Sequence, residues 1–130
     1  MNDTMKLYLL LAICLFANTL FAQQSAATNQ EYQKLVQQLK KGEVYLIDVR
    51  TPEEYNEGNL EYSQNIDYNG GDFKNNLNKL DKNKPVYLYC RSGNRSGKAL
   101  DSLKALGFPK YYNIGGFEKL KAEGMSVKKQ

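Results

Sequence analysis

Histidine and tryptophan are absent from this chain of 130 residues, and cysteine occurs only at Cys14 and Cys90. Without an imidazole there is no Ser-His-Asp triad and no Cys-His dyad, so a nucleophile here must be activated without a histidine base. The Cys and His clusters that hold a metal are missing as well, and neither a metal nor another cofactor is expected. Two cysteines make no disulfide framework, so a hydrophobic core must carry the fold. A large excess of one charge is also lacking: 18 Lys and Arg stand against 14 Asp and Glu, a net +4, with the basic residues scattered. A nucleic-acid surface asks for a concentrated basic stripe with interleaved aromatics, so nucleic acid is not an expected partner. The mild positive balance favours a small anion arriving at a local basic site.

One long apolar run is present, at the amino terminus. Lys6 precedes apolar residues 7–17, and Asn18 to Ala22 lead into polar Gln23-Gln24-Ser25. That is the pattern of a secretory signal peptide over residues 1–22, with cleavage expected after Ala22. Eleven uninterrupted apolar residues fall short of the roughly 20 a spanning helix needs. No stable membrane insertion is expected after the leader is removed, and the destination is the periplasm or the medium. Removal takes Cys14 with it and leaves Cys90 as the one thiol. No internal disulfide can then form, and an unpaired thiol in an oxidising setting must be buried or used.

Residues 23–29 are polar and expected as a flexible linker, residues 30–127 as one globular domain, and residues 128–130 as a basic, frayed tail. Tyr32, Leu35, Val36 and Leu39 recur at helical spacing before Gly42, and residues 44–49 read as a buried strand. Thr51-Pro52-Glu53-Glu54 spells a capping box with proline in the first turn. A short helix to about Gly58, a small strand over 65–67 and a helix over 73–80 are expected next. Residues 85–90 read as a second buried strand, 96–106 as a helix stopped by Gly107, and 111–114 as a last strand. Gly115-Gly116 is expected as a turn before a terminal helix over 117–122. Strands alternating with helices predict a parallel α/β sheet covered on both faces. A monomer is expected.

The chemistry concentrates in Cys90-Arg91-Ser92-Gly93-Asn94-Arg95-Ser96, between an expected strand and an expected helix. That is the crevice position where open α/β folds bind ligands. Residues 90–95 would curl so that backbone amides point inward, with Gly93 permitting the angles required. Amides opening the following helix add partial positive charge at the same spot. With Arg91 and Arg95 beside it, such a cradle favours thiolate over thiol and can take a cysteine pKa from about 8.5 to about 3.5–7.5. Cys90 is the candidate nucleophile, and Arg91, Ser92, Gly93, Asn94 and Arg95 are candidate binding residues for an anionic substrate. A lone cysteine ending a core strand is also a common inert core residue. Ser92 and Asn94 suit a turn whatever the function.

Three segments in order resemble the rhodanese family over residues 31–127. They are Leu46-Ile47-Asp48-Val49-Arg50-Thr51-Pro52-Glu53-Glu54-Tyr55 with Gly58 and Asn65-Ile66, the loop from Cys90 to Ser96, and Asn113-Ile114-Gly115-Gly116-Phe117 with Gly124. The resemblance implies a five-stranded parallel sheet flanked by helices on both faces. It also implies a sulfurtransferase in which the residue matching Cys90 takes sulfane sulfur from a thiosulfate-type donor as a persulfide. A thiol or cyanide then accepts it. Asp48 and Arg50 belong to the family pattern and are expected as structural support through pairing and strand-end hydrogen bonds, with Ser96 supporting the loop. Two departures stand out. Asn59-Leu60-Glu61-Tyr62-Ser63 replaces the usual His-Ile-Pro-Gly-Ala, which alters the turn at the rim, and Leu120 replaces a frequent tryptophan. Two further readings stay open: a non-catalytic rhodanese-like binding module, and a relative of the cysteine-dependent phosphatases and arsenate reductases. The latter use a ring one residue longer than the four residues that separate Cys90 from Arg95.

Overall fold

The computed structural model describes residues 1–128. In chain order the elements are α1 (Asp3–Lys40), β1 (Tyr45–Asp48), α2 (Pro52–Asn56), β2 (Asn59–Leu60), β3 (Gln64–Asn65), α3 (Phe73–Asn78), β4 (Val86–Cys90), α4 (Asn94–Ala105), β5 (Tyr111–Gly116), α5 (Phe117–Ala122) and β6 (Val127–Lys128). The two apolar runs expected as buried strands, β1 and β4, lie side by side at the centre of a parallel sheet of order β3-β1-β4-β5. Their register sets Ile47 against Leu88 and Asp48 against Tyr89.

The period of two along each strand decides what faces what. Ile47, Val49, Val86, Leu88 and Cys90 point to one side, where they pack with Phe73 and Leu77 of α3 and Ala99 and Leu103 of α4. Leu46 and Tyr89 point to the other, against Leu35 near the end of α1 and Leu120 of α5. Each fully buried leucine or isoleucine of this kind contributes about 1.5–3 kcal/mol. Leu120, where the resemblance would put a tryptophan, is 1% exposed and belongs to the core. Helices thus cover both faces, and α4 begins where β4 ends, which fixes the Cys90 loop between them.

The sheet has four parallel strands rather than the five implied by the resemblance. Among the described residues no strand pairs beyond β5, and the chain passes directly from Gly116 into α5. The other extended pieces, β2 and β6, pair antiparallel in a small separate sheet, Asn59 with Lys128 and Leu60 with Val127. This adds one correction, to the tail, and places the departing rim segment. The segment from Asn59 to Ser63 is built into the body, with Leu60 fully buried and the Tyr89 hydroxyl accepting the Leu60 N–H at 3.0 Å. Lys128, expected in the tail, is a strand residue; residues 129 and 130 lie outside the described residues. Tyr62, within the same segment, has φ +68° and is the one non-glycine residue with positive φ among those described.

Residues 23–29, expected as a flexible linker, are helical, because α1 runs unbroken from Asp3 to Lys40. Neither glycine nor proline occurs in this stretch, and its Ala and Gln residues are good helix formers. Only the carboxyl-terminal part of α1 packs on the domain, through Leu35 with Tyr32 and Leu39. The apolar side chains from Leu7 to Phe21 are exposed. Counted as helix rather than as an uninterrupted apolar run, α1 is long and apolar enough to cross a membrane, a criterion that a secretory signal also meets.

Candidate active site

Cys90 is the last residue of β4, and Gly93 is the N-cap of α4 with φ +91°. The loop is therefore tighter than the sequence suggests, because Asn94 and Arg95, expected in it, already form the first turn of the helix. Gly93 is required twice over. Its φ is left-handed, and a Cβ there would come within 3.3 Å of the Gly115 Cα. At Gly116 a Cβ would lie 2.6 Å from the Arg91 carbonyl oxygen. The end of β5 is pressed against the loop, and side chains at these positions would push the two apart.

The Cys90 sulfur accepts the Gly93 N–H at 3.0 Å and lies 3.5 Å from the Ser96 hydroxyl oxygen. Burial pushes the thiol pKa up, but the hydrogen bonds the sulfur can receive, from the Ser96 hydroxyl and from the backbone amides of Ser96, Ser92 and Gly93, together outweigh it, so the net direction is downward. Amide dipoles at a helix start do this without a counter-ion. Cys90 is 1% exposed. Arg91, Ser92 and Asn94 are exposed around it, while Ser96 is buried.

The arginines do not form the free pair that the sequence suggests. Arg95 is held in a bidentate contact by Glu54 of α2, Nη1 to Oε2 at 2.7 Å and Nη2 to Oε1 at 2.9 Å. Glu54 also completes the expected capping box: its Oε2 accepts the Thr51 N–H, and its own N–H donates to the Thr51 hydroxyl. Arg95 chiefly, helped by the Thr51 amide, holds the Glu54 carboxyl down at about 2. Glu54 in turn, and then the Cys90 sulfur, keep Arg95 firmly protonated against its partial burial.

Asp48 and Arg50, expected as support, form a buried pair on the opposite face of the sheet. Arg50 donates to Asp48 from Nε and from Nη2, the latter at 2.6 Å, and Nη2 also reaches the Gly58 carbonyl at 2.7 Å. Its guanidinium lies 4.3 Å from the Phe117 ring centroid. Asn65 closes the strand end by donating to the carbonyls of Asp48 and Arg50. A cleft of about 650 Å³ opens beside the loop, with Arg50, Glu54, Glu57, Arg91, Phe117 and Lys121 among its walls. Cys90 is not among the residues that line it.

Two residues at the site carry roles the motifs do not announce. Glu54 is legible as a helix cap, yet its partner Arg95 is 41 positions away. Asn113 donates from Nδ2 to the Gly93 carbonyl at 3.0 Å and accepts the Ser96 hydroxyl at 2.7 Å. Its place in the third motif is the one sequence signal that marks it. Among the described residues no three His, Cys, Asp or Glu side chains come together as metal ligands. The arrangement as a whole is suited to holding an anionic sulfur at the end of a strand.

Comparisons with known proteins agree with this geometry. The model of the rhodanese-like domain matches residues 31–123. An uncharacterized protein YqhL of Bacillus subtilis is 41% identical over 75 residues, covering 57% of this chain and 58% of its own length. The chain thus spans little more than half of that relative. Thiosulfate sulfurtransferase PspE of Escherichia coli is 33% identical over 72 residues, covering 55% of this chain and 69% of its own. A solved structure described as a rhodanese with anions from E. coli superposes with a TM-score of 0.56 at 30% identity, over 66% of this chain and 98% of that one.

Proposed function

Since this chain belongs to the rhodanese-like domain family, we propose that it moves sulfane sulfur from a thiosulfate-type donor to a thiol or cyanide through a persulfide on Cys90. One observation carries the reading: the Cys90 sulfur ends β4 and accepts the Gly93 amide at 3.0 Å where α4 begins. The thiolate attacks the outer sulfur of the donor, the donor S–S bond breaks, and sulfite leaves with the electron pair. The acceptor then attacks the outer sulfur of the persulfide, that S–S bond breaks, and the Cys90 thiolate returns. Neither half needs a general base, which suits a chain with no histidine. Loop amides favour the anion in both states. Arg91 at the cleft meets the oxygens of the donor, and Arg95, occupied by Glu54, contributes its charge from the side. The experiment is cyanide-dependent thiocyanate formation from thiosulfate, with Cys90→Ser as control. Activity lost with the sulfur supports the reading, and activity that survives the substitution overturns it.

A second reading, a partner-binding module without turnover, is favoured by the near-complete burial of Cys90. Peptide mass spectrometry of the reduced protein after thiosulfate treatment separates the two. A gain of one sulfur on Cys90 supports the enzyme, and an unmodified Cys90 supports the module.

The protein is also proposed to be exported by a leader cut after Ala22, to the periplasm or the medium. The exposed apolar side chains from Leu7 to Phe21 support this. A mature protein starting at Gln23 is the expected result of amino-terminal sequencing. Recovery of the uncut chain in the membrane fraction would instead make α1 an anchor.

A further inference from the structure

Ser96 has one hydroxyl proton and two neighbours that call for it. Its Oγ lies 2.7 Å from Asn113 Oδ1 and 3.5 Å from Cys90 Sγ. The Asn113 amide cannot turn over to present a donor instead. Its Nδ2 is engaged with the Gly93 carbonyl at 3.0 Å, and its Oδ1 also accepts the Gly115 N–H at 3.1 Å. An amide oxygen only accepts, so Ser96 must donate to Asn113 across the shorter contact. That leaves an Oγ lone pair facing the sulfur. A thiol can donate to this lone pair, whereas a thiolate meets it as one acceptor meets another. For Ser96 to stabilise the anion, its hydroxyl has to turn from Oδ1 to Sγ and give up the 2.7 Å bond.

We propose that Asn113 is a positioning residue that competes with Cys90 for the Ser96 hydroxyl proton and so restrains ionisation of the sulfur. The backbone explains how Asn113 reaches this place. The pairing of β4 with β5 shifts between Leu88 and Tyr89, so that Asn113 stands opposite Leu88 while Gly115 stands opposite Tyr89. Ile114 is the extra residue of this bulge, a device that re-aims a neighbouring side chain. Asn113 is itself exposed, yet both ends of its amide are engaged. The proton that Cys90 loses goes to solvent, and Ser96 keeps its own and only turns it.

The charged groups on the elements around the sulfur are Arg91 in the loop and Arg95 on α4 with Glu54 on α2, and across the sheet the Asp48–Arg50 pair on and just after β1. On β5 the residues from Asn113 to Gly116 carry no ionisable side chain, and the buried residues of α4 are Ser96, Ala99 and Leu103. Substituting Asn113 or Ser96 by alanine therefore changes no charge around the sulfur.

The inference rests on Cys90 being the reacting sulfur, but its test reads ionisation rather than sulfur transfer, so either can fail without the other. The experiment is the pH dependence of Cys90 alkylation by iodoacetamide in the full chain, followed on the Cys90 peptide by mass spectrometry. With Asn113→Ala the midpoint is expected to fall by about one pH unit, because the freed hydroxyl turns to the sulfur. In a Ser96→Ala background the same substitution is expected to produce no such fall, which is the coupling a double-mutant cycle isolates. A loop merely loosened by the loss of the Gly93 contact would raise the midpoint, and a rise, or an equal fall with and without Ser96, overturns the proposal. Should Asn113→Ala fail to fold, Ser96→Ala alone remains decisive. Its midpoint is expected to move by no more than a few tenths of a unit, and a rise of about one unit would place the hydroxyl on the sulfur from the start.

Discussion

Two arginine–carboxylate pairs serve this site, Arg50 with Asp48 and Arg95 with Glu54, and each is a close contact of 2.6–2.7 Å. They differ in what surrounds them. The Arg50 and Asp48 side chains are 6% and 0% exposed, and the guanidinium is further fixed by the Gly58 carbonyl and the Phe117 ring. Those of Arg95 and Glu54 are 22% and 27% exposed and join α4 to α2 across 41 positions. The first pair is closed within three residues of one strand end and almost wholly out of solvent, so it belongs to the fold. The second can exchange partners with solvent or with an incoming anion, so under the proposed function it belongs to the chemistry. Similar residue types in similar contacts thus take opposite roles according to burial.

Substitutions that remove one partner at a time test this division, beginning with the largest effect. Arg50→Ala leaves the Asp48 carboxylate buried without its counter-charge and is expected to cost about 3–5 kcal/mol in denaturant unfolding. A loss below about 1 kcal/mol would put the two pairs in one class. Arg95→Ala is expected to lower the rate of thiocyanate formation by about tenfold to a hundredfold, or roughly 1.4–2.7 kcal/mol in the barrier. Its unfolding should change by only about 1 kcal/mol or less. An unchanged rate would remove Arg95 from the chemistry.

Glu54→Gln comes next, and it makes a prediction about pH. The folded carboxyl is held at about 2, below its ordinary 4.5, mainly by Arg95. The unfolded chain therefore takes up the proton first, and the stabilisation from Glu54 is complete above about pH 5 and lost as pH falls towards 2. With about a quarter of the side chain exposed, solvent screening limits this to about 1 kcal/mol. Thermal unfolding between pH 5 and 2 should show a shallower acid decline in Glu54→Gln than in the parent. The smallest effect is expected from Thr51→Ala, which removes the N-cap of α2 but leaves the Glu54–Arg95 contact in place. It should cost about 0.5–1 kcal/mol, with little change in activity.

Local rules explain how much of this was legible in the sequence. β1 and β4 are short apolar runs whose placement needs no knowledge of the rest of the chain, and the Thr51–Glu54 capping box is written in four consecutive residues. The loop around Cys90 could be recognised as a cradle because Gly93 and the following helix lie next to it in sequence. What was not legible depends on distant partners. Glu54 gives no local sign that Arg95 will meet it, and Asn113 gives none that a bulge will aim it at Ser96. β2 and β6 are two residues each and exist because Asn59 and Lys128 pair across the body of the domain. The helical stretch over residues 23–29 is hidden for a different reason: polar composition suggests a linker, while the absence of glycine and proline permits α1 to continue.

The central claim is that backbone amides keep the Cys90 sulfur anionic and reachable although the residue is 1% exposed. The most direct test is the alkylation of Cys90 in the folded parent protein as a function of pH. A midpoint clearly below the value of about 8.5 for free cysteine, with modification proceeding under native conditions, is the result this account predicts. A midpoint at or above that value, or a sulfur that reacts only after unfolding, would contradict it.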